Sequence, residues 1–129
     1  MFLLALSSCS FFTNNVEAAT DDIGLSSKFS VCMEKSNGVT GSMLECIGSE
    51  TEQQEIRLNT IYKDVLAQMD EARQKELKKA QDLWKKFRVA NVSFYHDPNG
   101  GTAATLIGAD RFLTMTAERA SELEKFKKD

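Results

Sequence analysis

The stretch CMEKSNGVTGSMLEC, residues 32–46, places two cysteines on either side of a segment that is rich in turn-forming residues. Two antiparallel helices meeting at this segment would bring Cys32 and Cys46 together, so we predict a disulfide between them. Closing a loop of roughly 15 residues stabilises a fold by about 3 kcal/mol in the chain-entropy model. The alternative is a pair of free, buried thiols in a cytoplasmic protein.

Helical patterns extend in both directions from this stretch. Residues Ser26–Lys35 predict a short helix. On the other side, Ser42-Met43-Leu44-Glu45 fits a capping box with Ser42 as the N-cap, and it predicts a long helix that runs to about Met69. From Leu58 onward the apolar residues recur at spacings of three and four, which is typical of a buried helical stripe.

The polar stretch between Gly48 and Glu55 interrupts the apolar stripe of this long helix. We therefore expect that part to be exposed or irregular. Asp70 can serve as the N-cap of a third helix, predicted from about Ala72 to Tyr95.

Two faces of the third helix differ in character. At spacings of three and four, its predicted apolar face comprises Leu77, Ala80, Trp84, Phe87, Asn91 and Phe94. The opposite face carries Lys75, Lys78, Lys79, Lys85 and Lys86, which we interpret as a solvated surface.

The segment His96-Asp97-Pro98-Asn99-Gly100-Gly101 ends the third helix, since proline cannot continue it and glycine permits positive φ. A fourth helical segment begins at Thr102, and Thr116 is a candidate cap for a last helix. The sum predicts an all-α fold, a small antiparallel bundle of about four helices with one disulfide.

The N-terminal residues differ from the rest. Met1–Phe12 is an uncharged apolar run, followed by small residues around Ala18 that suit signal-peptide cleavage. We expect residues 1–18 to be a signal peptide and residues 19–129 to form the domain. The run is too short to span a bilayer as a helix. The alternative is a buried N-terminal helix.

A second export interpretation rests on Leu6-Ser7-Ser8-Cys9, which resembles a bacterial lipobox. In that case Cys9 would be lipidated, and a lipid anchor would be the only membrane attachment. Either form of export removes Cys9 from disulfide pairing and leaves Cys32 with Cys46. We therefore expect a periplasmic or secreted protein.

Composition and motifs argue against several classes of function. The 129 residues carry a net charge of −3, without the basic excess of nucleic-acid binders. Two cysteines and one distant histidine do not make a four-ligand metal site. His96 has no marked nucleophile nearby, and no phosphate-binding glycine loop occurs. We predict no metal, no cofactor and no enzymatic activity.

Five short motifs follow one another between Cys32 and Phe126. They are Met43–Cys46; Leu58-Asn59 with Tyr62; Ala80-Gln81 with Trp84 and Arg88; Gly100-Gly101-Thr102; and Met115-Thr116 with Arg119 and Leu123. In order and spacing they resemble the motifs of the LprI-type lysozyme inhibitor family of bacterial envelope proteins. We expect their conspicuous aromatic and arginine residues to be structural, with the aromatics in the core and the arginines paired with carboxylates or helix ends.

The chain departs from the family pattern at two places. Gly41 and Ser42 stand where family members often carry Thr-Glu. Val92 and Arg111 stand where many members have a second cysteine pair. With one bridge instead of two, the loop around Gly100 lacks a covalent constraint that many family members have.

The resemblance implies binding to a protein partner, lysozyme or a related peptidoglycan-degrading enzyme, and inhibition of it. The alternative is an envelope adaptor, or an immunity or secretion accessory protein, without inhibitory activity. The sequence does not determine an oligomeric state.

Two regions are candidates for the partner-binding surface. The first is the acidic run Glu45, Glu50, Glu52 and Glu55, because vertebrate-type lysozymes are basic and an acidic patch would steer their association. The second is the loop with His96, Asp97 and Asn99, because binding residues favour loops on rigid scaffolds. The alternatives are a solvated helix face and a plain interhelical connection.

Overall fold

Four α-helices form the part of the chain that the computed structural model describes, residues 22–128. They are α1 (Ser27–Lys35), α2 (Thr40–Ala67), α3 (Glu71–Tyr95) and α4 (Gly101–Glu124), and residues 22–128 contain no strand. The predicted all-α bundle is confirmed. The predictions for the signal peptide and Cys9 lie outside the described residues.

Consecutive helices run antiparallel, and α2 and α4 therefore run in the same direction. The ion pairs Arg57–Glu124 and Asp64–Lys127 join the two helices in that order. The core lies between α2 and α4 and comprises Leu58, Ile61, Val65, Ala120 and Leu123. Burial of these apolar side chains is the main stabilising contribution.

The predicted disulfide is present. Cys32 in α1 is bonded to Cys46 in α2, and their Cα atoms are 5.8 Å apart. Helix α1 contributes no buried residue to the core, so this bond is a principal attachment of α1 to the bundle.

The predicted starts of α1 and α3 are confirmed, whereas the predicted start of α2 is wrong. Ser26 caps α1 by accepting from Phe29 N, and Asp70 caps α3 by accepting from Arg73 N. The capping box at Ser42 does not form, because α2 already begins at Thr40 without a side-chain cap. Positive φ at Asn37 and Gly38 completes the turn early, so the chain re-enters the helix before Ser42.

The long helices α2 and α4 are continuous where the sequence suggested interruptions. Glu50 and Gln54 in the polar stretch of α2 are buried within a regular helix. Thr116 does not cap a separate helix but lies fully buried inside α4, where its hydroxyl donates to Phe112 O at 2.8 Å. A threonine that satisfies its hydroxyl within its own helix need not break it.

The predicted apolar face of α3 is partly wrong. Trp84 and Leu77 pack against the core, but Phe87 is 56% and Phe94 82% exposed. Gln81 and Arg88 are the buried residues of α3 instead. The inward face of α3 is therefore mixed: Leu77 and Trp84 meet the core, while Gln81 and Arg88 meet polar groups of α2 and α4.

Candidate functional site

Arg88 lies where α2, α3 and α4 meet. Its Nη1 donates to Glu55 Oε1 at 2.5 Å and to Thr116 Oγ1 at 2.7 Å. Its guanidinium is stacked between the rings of Trp84 and Phe112, with the carbon 4.7 and 4.1 Å from the two centroids. A planar, delocalised cation suits this sandwich between aromatic faces. The arrangement is a helix junction, which agrees with the structural role expected for Arg88.

Arg119 extends the junction along α4. Its Nε donates to Gln81 Oε1 at 3.0 Å, its Nη1 pairs with Glu122 at 2.8 Å, and its guanidinium approaches the Trp84 ring. Trp84 therefore contacts two arginines while packing on the core, which links α3 to α4. No partner-facing role is needed to explain these side chains.

The remaining motif residues of α2 have different environments. Leu58 is fully buried, Met43 is half-buried and Asn59 is exposed. Tyr62 packs on the core, and burial together with the nearby Asp82 carboxylate raises the pKa of its phenol.

Gly100 and Gly101 form the turn into α4. Gly101 has a φ of +62°, and a Cβ added to Gly100 would lie 2.6 Å from Ala104 Cβ. A larger residue would therefore be strained at Gly101 and would clash with Ala104 at Gly100. The two glycines thus bring the chain from α3 into α4.

Glu50 is not part of an accessible acidic surface. It is 4% exposed, and its carboxylate accepts hydrogen bonds from Ser26 N at 2.9 Å, Ser26 Oγ at 2.6 Å and Gln54 Nε2 at 2.9 Å. Burial by itself raises the pKa of Glu50, but these hydrogen bonds outweigh it and hold the pKa below its ordinary value. Glu50 anchors the segment before α1 and is unavailable to a partner.

The other three candidate glutamates differ in accessibility. Glu45 and Glu52 are exposed on α2, while Glu55 is half-buried and engaged by Arg88. The acidic surface that the structure leaves open is therefore smaller than the run in the sequence suggests.

The loop between α3 and α4 is exposed and locally ordered. Asp97 Oδ1 accepts from Asn99 N at 2.8 Å, and Asp97 O accepts from Gly100 N at 2.9 Å. His96 Nε2 lies 3.3 Å from Thr105 Oγ1, which ties the loop to α4. His96, Asp97 and Asn99 thus remain at the surface on a supported turn.

The two candidate regions lie at the same end of the bundle. Helices α2 and α3 run antiparallel, and the Arg88–Glu55 pair sets their register. From this pair, α2 extends about 15 Å back to Glu45, and α3 extends about 10 Å forward to Tyr95 in the same direction.

Phe94 and Tyr95 are surface residues that the sequence interpretation missed. They precede the loop, are 82% and 42% exposed, and pack edge to face with centroids 5.9 Å apart. Helical periodicity assigned Phe94 to the core. Its position one turn from the helix-ending proline was the signal that it could protrude beyond the packed part of α3. We call Glu45, Glu52, Phe94, Tyr95 and residues 96–99 the bundle-end surface.

A metal-ligand cluster, an apolar groove and a membrane-spanning helix are the remaining features to consider in the described part of the chain. Residues 22–128 contain no cluster of three or more His, Cys, Asp or Glu residues that could hold a metal ion. An apolar groove of about 220 Å³ lies between α2, α3 and α4. Two ion pairs border it, Arg73 with Glu76 and Arg119 with Glu122. None of the described helices is long and apolar enough to cross a membrane.

The described fold is a small helical bundle in which a disulfide joins α1 to α2. Comparison with known protein families matches residues 32–123 to the family described as lysozyme inhibitor LprI. The match spans most of the chain, which therefore belongs to the LprI lysozyme inhibitor family. Neither the curated proteins nor the solved structures contain a significant match to the chain.

Proposed function

We propose that this protein binds a peptidoglycan-degrading enzyme of the lysozyme type through the bundle-end surface and blocks its activity. Membership of the LprI family is the observation that carries the proposal, since it implies a protein partner and a non-enzymatic role. The bundle-end surface is the part of the described chain that combines exposed acidic groups, exposed aromatic rings and a supported loop.

The charges of this surface support the choice of partner. Glu45 and Glu52 are free of ion pairs within residues 22–128, so their carboxylates can face a basic enzyme. Complementary charge raises association rates and favours the correct orientation. Glu55 adds little to this negative charge, because its ion pair with Arg88 already neutralises it.

The aromatic pair supplies apolar contact area, which the charged groups do not. Phe94 and Tyr95 can bury apolar area on binding at little cost in conformational entropy, and aromatic residues dominate interface energetics. His96, Asp97 and Asn99 follow directly and offer hydrogen-bonding groups around them. Loop and aromatics together form a projection that suits a concave cleft.

We propose that the protein works outside the reducing cytoplasm, in the periplasm or after secretion. The Cys32–Cys46 bond supports this location, because such bonds persist in oxidising compartments. The signal peptide over residues 1–18 and the lipidation of Cys9 remain alternative routes of export.

The test is a lysis assay in which several lysozymes degrade cell-wall suspensions with and without the purified protein. We expect inhibition of at least one basic lysozyme. The variant E52K should weaken inhibition about tenfold through charge repulsion. Its matched control is E118K, which reverses an equally exposed glutamate on α4 and should inhibit normally.

Absence of inhibition across all lysozymes would contradict the proposal and favour the alternative function, an envelope adaptor or accessory protein. Equal loss of inhibition in E52K and E118K would show that net charge, rather than the bundle-end surface, determines binding.

A further inference from the structure

A second surface, separate from the bundle-end surface, lies on the solvent side of α3. Five lysines are exposed there: Lys75, Lys78, Lys79, Lys85 and Lys86. None of them forms an ion pair within residues 22–128. We call these lysines together with Leu83 and Phe87 the basic face of α3.

This surface concentrates positive charge on an acidic protein. Helix α3 carries seven Lys or Arg and three Asp or Glu, a net charge of +4, whereas the whole chain carries −3. Of these charges, Arg73 pairs with Glu76 and Arg88 is buried against Glu55, which leaves the five exposed lysines with the exposed Glu71 and Asp82. Such a separation of charge favours an anionic partner on this side alone.

Two large apolar side chains border the lysines, with Leu83 beside them and Phe87 further round the helix. Leu83 and Phe87 are each 56% exposed. Leu83 follows Lys79 by four residues and precedes Lys86 by three, so the three side chains share one side of the helix. Phe87 follows Leu83 by four residues and continues the apolar row.

We propose that the basic face of α3 docks onto an anionic phospholipid surface, with the helix lying along it. Lysines attract acidic headgroups, while Leu83 and Phe87 enter the boundary between headgroups and acyl chains. Pairing with α3 of a second copy would bring the two sets of lysines together. A soluble polyanion would engage the lysines but leave Leu83 and Phe87 in water.

The border of this face agrees with a negatively charged partner. The acidic residues that line the neighbouring groove, Glu76 and Glu122, are neutralised by Arg73 and Arg119 at 2.5 and 2.8 Å. Unpaired carboxylates at that border would repel acidic headgroups, and these pairs reduce that repulsion.

The test is co-sedimentation of the full-length protein with two kinds of vesicle, pure phosphatidylcholine and phosphatidylcholine mixed with anionic phosphatidylglycerol. We expect stronger binding to the anionic vesicles. Since residues 1–12 are also apolar, the informative quantity is the difference between variants that share them.

Paired variants separate the contributions of charge and apolar contact. K79Q/K86Q should lower the partition coefficient on anionic vesicles roughly 25-fold, at about fivefold per lysine. The matched control K125Q/K128Q removes two exposed lysines near the C-terminus and should bind almost normally. F87S should lower partitioning about tenfold. Its control I56S removes an exposed apolar side chain from α2 and should not.

Equal binding to both kinds of vesicle, or equal loss in K79Q/K86Q and K125Q/K128Q, would overturn the proposal. If F87S binds like I56S while K79Q/K86Q binds weakly, the lysines act by charge alone, and docking with Leu83 and Phe87 entering the lipid is refuted. Thermal unfolding verifies that the variants fold. Enzyme inhibition should be unchanged in K79Q/K86Q, so this test is independent of the proposed function.

Discussion

Arg88 occupies a position where helical bundles ordinarily place an apolar side chain. Its burial is tolerated because Glu55 and Thr116 accept hydrogen bonds from its Nη1 and because its guanidinium contacts two aromatic rings. A buried cation without such partners would be strongly destabilising. The same side chain thus joins three helices and sets the register of α2 against α3.

We predict that R88A lowers the free energy of unfolding by about 2–3 kcal/mol, since a mostly buried ion pair loses one partner while Glu55 keeps some access to water. R88K should recover about half of this, because lysine keeps the charge and its hydrogen-bond donors but lacks the planar guanidinium that contacts the two aromatic rings. Urea unfolding of the variants measures both.

The control for this experiment is R73A. Arg73 pairs with Glu76 at an exposed position, where such pairs contribute about 0–1 kcal/mol. Equal losses in R88A and R73A would contradict the central role of Arg88.

Glu50 makes the fold sensitive to acid. Its pKa is below the ordinary value of 4.5 in the folded protein, so the stability it contributes is complete above that pH and is lost as the pH falls through the folded pKa. We predict that E50Q flattens the acid side of the stability profile and costs about 1 kcal/mol at pH 7. Thermal unfolding between neutral pH and pH 3 measures both effects.

The exposed Glu45, in the same helix, supplies the comparison for Glu50. E45Q should keep the acid dependence of the unsubstituted protein, since its side chain makes no buried contact. An acid profile of E50Q that coincides with that of E45Q would show that the Ser26 hydrogen bonds do not control the response.

At the scale of elements, α1 depends on its attachments more than on its own packing. None of its nine residues is buried, and a helix of nine residues is too short to be stable in isolation. The disulfide and the Ser26–Glu50 hydrogen bonds hold it against α2.

We predict that C32S/C46S lowers the free energy of unfolding by about 2–4 kcal/mol. Amide hydrogen exchange should become fast in α1 while α2 and α4 stay protected, because the core does not include α1. C9S, which leaves the bridge intact, is the control. Unchanged protection of α1 in C32S/C46S would contradict this view.

A polar contact joins α3 to α4 near the positions where many family members have their second cysteine pair. Arg111 donates to Asn91 at 3.1 Å, and its guanidinium lies 5.5 Å from the centroid of Tyr95. The contact supports the end of α3 without a covalent bond, which bears on how rigidly the bundle-end surface is held.

At the scale of the whole molecule, charge is divided between its surfaces. Glu45 and Glu52 face solvent on α2, and the unpaired lysines face solvent on α3. A basic enzyme and an anionic membrane would therefore meet different surfaces of one small bundle.

We predict that inhibition of a basic lysozyme weakens as salt is added, since the exposed carboxylates act through a screened field. Raising ionic strength from about 0.01 to 0.15 M shortens the Debye length from about 30 to 8 Å and should slow association severalfold. Stopped-flow binding measures the rate. The variant E52K should lose part of this salt dependence. If E52K keeps the same salt dependence as the unsubstituted protein, Glu52 does not take part in the contact.

Local chemistry determined much of this protein from its sequence. The cysteines beside a turn-rich segment, the cap at Asp70 and the proline–glycine loop act through neighbours in the chain, so the helices, the disulfide and the family motifs could be recognised. Tertiary contacts decided the rest. Glu50 is buried because Ser26 packs and hydrogen-bonds against it, and Arg88 is buried because polar groups of α2 and α4 surround it. Phe87 and Phe94 remain at the surface. Periodicity shows that a helix has an apolar face, but only the packing of the helices determines which face is covered.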